Sequence, residues 1–276
     1  MRKKNLLTRL HINGACYIIS TLLLVVIVPL YQRLILTPRG YDSALAQTGT
    51  GRFSTYLIWT GAHSGEFLIY RALLVIAFAL LLTLPFTLFR IIVAQELIAQ
   101  GEEEAEPGIA HRGEEEEGVS DSAMPPGAWR GKGFAVLAVW AGICGLALYL
   151  LGTVASTLYL TIVGGNFHAG APLPASTGTL SGLFSIMANT AGTGLLALST
   201  LFFGAMIARR GRNLWPGIWI AFSYAALAVA ILLSASAVAV AGAAGEGQAA
   251  LTTPATLLFA LWTLWLGIML VRLKPE

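Results

Sequence analysis

Charged side chains are scarce in this sequence: Asp, Glu, Lys and Arg make up 11% of its 276 residues, where ordinary soluble domains carry about 25%. So few charges cannot cover the surface of a water-soluble protein this size, and a cytosolic enzyme is excluded. Cysteine is scarcer still. Cys16 and Cys144 both fall inside apolar stretches, which argues against a disulfide framework. Cys16 also lacks the preceding lipobox-like segment that lipoprotein processing needs. There is no Walker loop, dinucleotide glycine fingerprint or Cys-x-x-Cys metal site. No nucleic-acid partner is expected, because anionic lipid headgroups account for the basic residues.

What the chain does have is long apolar runs. Crossing the roughly 30 Å hydrocarbon core of a bilayer takes about 20 helical residues. Six windows qualify: residues 14–36, 67–98, 134–163, 183–207, 216–241 and 254–271. The expected fold is all-α, an integral membrane six-helix bundle forming one membrane domain over residues 1–276. Pro85 is expected to kink the second helix, a defect that neighbouring helices make tolerable, and Gly101 to end it. Pro216 and Pro254 suit first-turn positions.

Orientation follows from the basic residues. In the six-span arrangement one side receives Arg2, Lys3, Lys4, Arg9, Arg90, Arg112, Arg130, Lys132, Arg209, Arg210, Arg212, Arg272 and Lys274, and the other only Arg33, Arg39, Arg52 and Arg71. This excess puts both termini in the cytoplasm of a bacterial inner (plasma) membrane protein. Ala44-Leu45-Ala46 after an apolar run imitates a signal-cleavage site. Arg33, Arg39 and Asp42 separate it from the run, so an uncleaved anchor is expected.

The net charge of +3 averages two unlike regions, because ten of the 14 acidic residues lie between Glu96 and Asp121. With Pro107, Pro125 and Pro126, the segment 100–133 reads as one long acidic cytoplasmic loop that cannot bury a core and is expected to be disordered. It acts as a solvated linker or as an acidic docking segment. The outer loop from Thr37 to Glu66 carries the aromatic cluster Phe53, Tyr56 and Trp59, expected to lie in the interface or cap the bundle. The second outer loop, residues 164–182, reads as irregular coil.

The span interiors hold no Asp, Glu, Lys or His. Intramembrane haem ligation, a retinal-type Schiff base and proton coupling each need one of these, so no cofactor is expected. Ser185 has no base in another span, which argues against an intramembrane serine protease. Arg33, Arg71 and Arg90 fall near span ends, within snorkelling reach of the headgroups. The fourth span is the most polar. Asn189, Thr190 and Thr193 interrupt it, and the pair Ala188 and Gly192 suits close helix packing. Two readings stand: polar packing, or a broken helix lining a substrate path. At the outer face His63, Glu66 and His168 have the composition of a two-His, one-carboxylate metal site if the two loops meet.

Three short motifs stand out: Gly14-x-x-Tyr17-Ile18 after Arg9, Phe203-Gly204 ahead of Arg209-Arg210 and Leu214-x-Pro216, and Ala260-Leu261-Trp262-x-x-Trp265-Leu266-Gly267 before Arg272. In these the chain resembles a domain-of-unknown-function family of bacterial membrane proteins with about six helices. The resemblance implies a topology and no catalytic residue. The leading expectation is a non-enzymatic multi-pass membrane protein of structural or accessory role. Its partners would be anionic lipid at the cytoplasmic face and a membrane-protein partner or a second copy of itself. The alternatives are a small-molecule transporter using the fourth helix and a metal-dependent enzyme at the outer face.

Overall fold

The computed structural model describes residues 2–48, 53–105, 132–168, 172, 176–211, 215–242 and 246–273. Every regular element among them is helical. Six helices are long and apolar enough to cross a membrane: Thr8–Arg39, Ser64–Gln95, Gly133–Asn166, Ser176–Arg209, Gly217–Ala241 and Thr252–Val271. The expected acidic loop falls mainly on residues 106–131, outside the described residues, as do Arg52, Arg112, Arg130, Arg212 and Lys274.

The first span is assembled from α1 (Arg2–Leu22), a π turn (Leu23–Ile27), α2 (Val28–Tyr31), a second π turn (Gln32–Leu36) and a 3-10 turn (Thr37–Arg39). The π turn before Pro29 has a local cause. Proline lacks an N–H and clashes with the carbonyl four residues back. Here the preceding turn widens so that the Val28 N–H reaches Leu23 O, five residues away. Gly40, at φ +85°, then reverses the chain into α3 (Tyr41–Thr48), a left-handed conformation that glycine adopts without penalty. α4 (Phe53–Ala62) follows. α3 and α4 cap one end of the bundle around Leu36, Tyr41, Tyr56, Leu57, Trp59, Phe67 and Leu160.

The second span consists of α5 (Ser64–Leu80) and α6 (Leu84–Ala105). Two expectations are corrected here. The break falls at residues 81–83 rather than at Pro85, which sits in the first turn of α6 where its missing N–H is not needed. Leu81, Leu82 and Leu84 meanwhile make three-residue hydrogen bonds to Phe78, Ala79 and Leu81. The helix also passes Gly101 and ends at Ala105.

α7 (Lys132–Asn166) forms the third span. The fourth comprises α8 (Ser176–Ser185), a seven-residue π segment (Ile186–Gly192) and α9 (Thr193–Arg210). It begins at Ser176, inside the stretch expected to be coil. α10 (Gly217–Gly242) and α11 (Glu246–Val271) complete the bundle. Pro254 lies inside α11 rather than in its first turn.

Each span packs on its neighbours in sequence, and α1 packs on α11, so the six close into a ring. Small residues set the closest approaches. A Cβ on Gly14 would meet Gly267 O at 2.9 Å, and one on Gly267 would meet Gly14 O at the same distance, so the first and third sequence motifs are two sides of one contact. In the second motif, a Cβ on Gly204 would meet Ser223 O and the Ala226 side chain at 3.0 Å.

Candidate functional site

Polar side chains within an apolar ring have three options: reaching a neighbouring helix, bonding within their own, or facing whatever lies on the axis. Several reach a neighbour, while others, such as Thr157, Thr161, Thr200 and Ser223, bond to a carbonyl of their own helix. The Ser20 hydroxyl donates to Ala77 O at 2.8 Å, Thr21 to Ala260 O at 3.0 Å, Ser199 to Ala138 O at 2.7 Å and Trp262 Nε1 to Phe222 O at 3.3 Å. Tyr17, fully buried, shares its hydroxyl with Thr83 at 3.0 Å and Thr87 at 2.8 Å, and Asn13 donates to Thr87 at 2.9 Å. These bonds tie span 1 to spans 2 and 6, span 3 to span 4, and span 5 to span 6.

Asn189 and Thr193 do not reach across. The Asn189 amide donates to Ser185 Oγ at 3.3 Å, and the Thr193 hydroxyl goes to Ala188 O at 3.4 Å, both on their own helix. The two side chains instead line a cavity of about 30 Å³ on the ring axis, bounded by Phe78, Tyr149, Leu233, Ser236, Thr252, Thr256 and Phe259 among others. Five of the six spans contribute. The volume suits a single water. No ionisable acid, lysine, arginine or histidine lines it.

The π segment explains how one stretch of helix serves both purposes. Ala188 and Gly192 face span 3, where a Cβ on Gly192 would meet Gly145 O and Tyr149 N at 2.9 Å, and one on Gly152 would meet Ala188 Cβ at 2.9 Å. Asn189 and Thr193, one residue further on, turn toward the axis. The Thr193 N–H bonds to Ala188 O in the five-residue pattern of a π turn, a geometry frequent at functional sites. Thr190 does not line the cavity; its hydroxyl is buried with no hydrogen-bond partner among the described residues.

The residues proposed for metal binding are placed differently. α5 begins early enough for Glu66 to fall in its first turn, but Glu66 forms an ion pair with Arg39. His63 stacks on Trp59, ring centroids 4.9 Å apart, and its Nδ1 lies 3.1 Å from Trp59 O. His168 is exposed, with Nδ1 3.1 Å from Asn166 O. Among the described residues no three His, Cys, Asp or Glu side chains are gathered as a metal would require. An open recess of about 350 Å³ beside His63 is lined by Arg39, Ser43, Thr55 and Trp59. Burial pushes the nearby Tyr41 phenol well above its ordinary pKa, so it stays neutral.

Sequence reasoning reached Asn189 and Thr193. It missed Tyr149, Ser236, Thr252 and Thr256, whose only signal is a hydroxyl in a long apolar window. Ser236 donates to Thr252 at 3.1 Å, bridging spans 5 and 6 at the cavity wall.

No family model, no curated protein and no solved structure matches the chain. The architecture defines a helical bundle of membrane-spanning proportions. The three motifs carry weight only through the helix contacts they make.

Proposed function

We propose that the protein is a non-enzymatic, multi-pass plasma-membrane protein of bacterial type that passes a small uncharged polar solute along its ring axis. The observation that carries this reading is the axial cavity, on which polar side chains of four spans converge: Tyr149, Asn189, Thr193, Ser236, Thr252 and Thr256. Lack of an ionisable wall favours a neutral solute, since an ion there would go uncompensated. At about 30 Å³ the path is closed, and the π segment is the element that would yield. The distribution of Lys and Arg supports cytoplasmic termini and contact of that face with anionic lipid.

The test is shrink–swell light scattering of liposomes containing the full chain, with glycerol and urea as probes. Swelling faster than empty liposomes, lost in Asn189→Leu at unchanged thermal stability, is the expected result. Swelling no faster than empty liposomes refutes the reading. The small volume favours a second reading, an accessory subunit or self-associating scaffold whose axis is merely packed. This reading expects copurification with a membrane partner or a second copy, and full tolerance of Asn189→Ala.

A further inference from the structure

Arg71, eight residues into α5, does not extend freely outward. It is half-buried at the capped end, with Cζ 5.2 Å from the centroid of the Phe67 ring. Its Nε is buried and has no hydrogen-bond partner among the described residues. Tyr41, Tyr56 and Tyr70 lie within the electrostatic range of the guanidinium. These three tyrosines form one ring cluster: Tyr41 is 6.4 Å from Tyr56 and 5.9 Å from Tyr70 between centroids.

Among the described residues this group has no counter-charge. A guanidinium stays protonated and offers five N–H donors, and a cation taken out of water needs a partner anion. The two carboxylates described at this end are engaged elsewhere. Glu66 pairs with Arg39, and Asp42 accepts from Thr37 at 2.7 Å and from Gln32 at 3.1 Å. No ion pair to Arg71 exists among the described residues.

Depth supplies the second half of the argument. Arg71 and the exposed Arg90 lie on the same span, 19 positions apart, or about 28 Å along a helix. That nearly equals the roughly 30 Å hydrocarbon thickness. With Arg90 at one boundary, Arg71 falls at the other, where a bilayer presents lipid phosphates.

We propose that Arg71 is a binding site for a phosphate-class oxyanion at the capped membrane boundary. The guanidinium supplies the charge and the donors, among them the buried Nε–H that has no partner among the described residues. The same chemistry recognises the phosphate of a phospholipid headgroup or free inorganic phosphate. Arg71 does not line the axial cavity, and phosphate binding is read at Arg71 while permeation is read at Asn189, so the two proposals are tested independently.

The experiment is thermal unfolding of the full chain in mild detergent, titrated with short-chain phosphatidylglycerol, with inorganic phosphate, and with a phosphate-free diacylglycerol. A saturable rise in the unfolding midpoint with phosphatidylglycerol alone, absent with diacylglycerol, supports the site and names lipid as the source. A rise with inorganic phosphate supports it with a free anion as the source. Arg71→Met should abolish either response. Arg71→Lys, which keeps the charge but loses the planar fork, should weaken the apparent affinity about tenfold and serves if Arg71→Met does not fold. No phosphate-dependent shift in the wild type, or an affinity unchanged in Arg71→Met or Arg71→Lys, overturns the proposal.

Discussion

The contact between α7 and the π segment of the fourth span gives a quantitative test of how this bundle is held together. A Cβ on Gly192 would stand 2.9 Å from both Gly145 O and Tyr149 N, and a Cβ on Gly145 would stand 2.8 Å from Gly192 O and Leu196 N. Real Cβ atoms essentially never come so close, and the atoms in the way are backbone, which cannot rotate aside. Each Gly→Ala change therefore forces the two helices apart, and overpacking of this kind costs about 1–3 kcal/mol.

The two changes share one remedy, because the displacement that admits the first methyl also makes room for the second. The double variant should thus cost less than the sum of the singles, with a coupling of about 0.5–3 kcal/mol. Gly194 supplies the control. It lies two residues from Gly192, and a Cβ there meets nothing within 4 Å, so Gly194→Ala should be neutral or stabilising by up to about 1 kcal/mol from helix propensity. Thermal unfolding midpoints in detergent measure all four variants. A Gly192→Ala midpoint equal to that of Gly194→Ala, or strict additivity of Gly145→Ala and Gly192→Ala, refutes the reasoning.

Two further outcomes follow from the hydrogen bonds and from the cap. Tyr17→Phe removes a hydroxyl shared by Thr83 and Thr87 but leaves the Thr87 hydroxyl bonded to Thr83 O. Bonds between membrane helices average about 0.6 kcal/mol and reach about 1.7, so the loss should fall in that range. Because Tyr17 bonds Thr83 and Thr87 on either side of the start of α6, the loss should be accompanied by faster hydrogen exchange at residues 81–83, and unchanged exchange there would show that the hydroxyl does not hold this break. At the cap, the Tyr41 phenol is held well above its ordinary pKa of 10.0. A raised folded-state pKa gives stability that is fully present below the unfolded value of about 10 and is lost as pH climbs from there toward the folded value. Wild type should therefore lose stability above pH 10 more steeply than Tyr41→Phe, with phenolate absorbance as the readout; superimposable pH profiles would contradict the buried phenol.

The spans were legible in the sequence because an apolar window of bilayer length has few other uses. Their interruptions were legible in kind and misplaced in detail. Pro85 advertised a break in the second span, but proline is comfortable in the first turn of a helix, so the chain breaks just before it at residues 81–83. Ser176 to Gly182 has the composition of coil and nevertheless forms helix, its Thr177 side chain buried. Asn189 and Thr193 could be picked out because an amide or a pair of hydroxyls is conspicuous in a membrane window. Tyr149, Ser236 and Thr252 could not. A helix that is apolar nearly all round carries no face signal, and only its rotation within the ring decides whether a hydroxyl ends on a neighbour's carbonyl or on the axis. The fate of Arg71 was hidden for the same reason. Its depth was readable from its distance to Arg90, but the tyrosines gathered around it come from α3, α4 and α5, which only the folded cap brings together.

That sorting of polar groups is the strongest link between this fold and a function. Intramembrane polar groups in this bundle are satisfied in two ways, because an unshared donor in a dry interior is costly: Ser20, Thr21, Ser199 and Trp262 reach another helix, and Thr157, Thr161, Thr200 and Ser223 bond to a carbonyl of their own. Where the backbone of the fourth span widens, one hydroxyl has neither kind of partner and two polar side chains face the void. Thr190 keeps a buried hydroxyl with no partner among the described residues, and Asn189 and Thr193 satisfy themselves locally beside an axial void. Packing does not require this, since the same π segment already packs through Ala188 and Gly192 and would do so with leucine at position 189. Polar side chains gathered beside an axial void, next to a π segment whose five-residue bonds can re-form as the four-residue bonds of an α-helix, are what the proposed polar path would use.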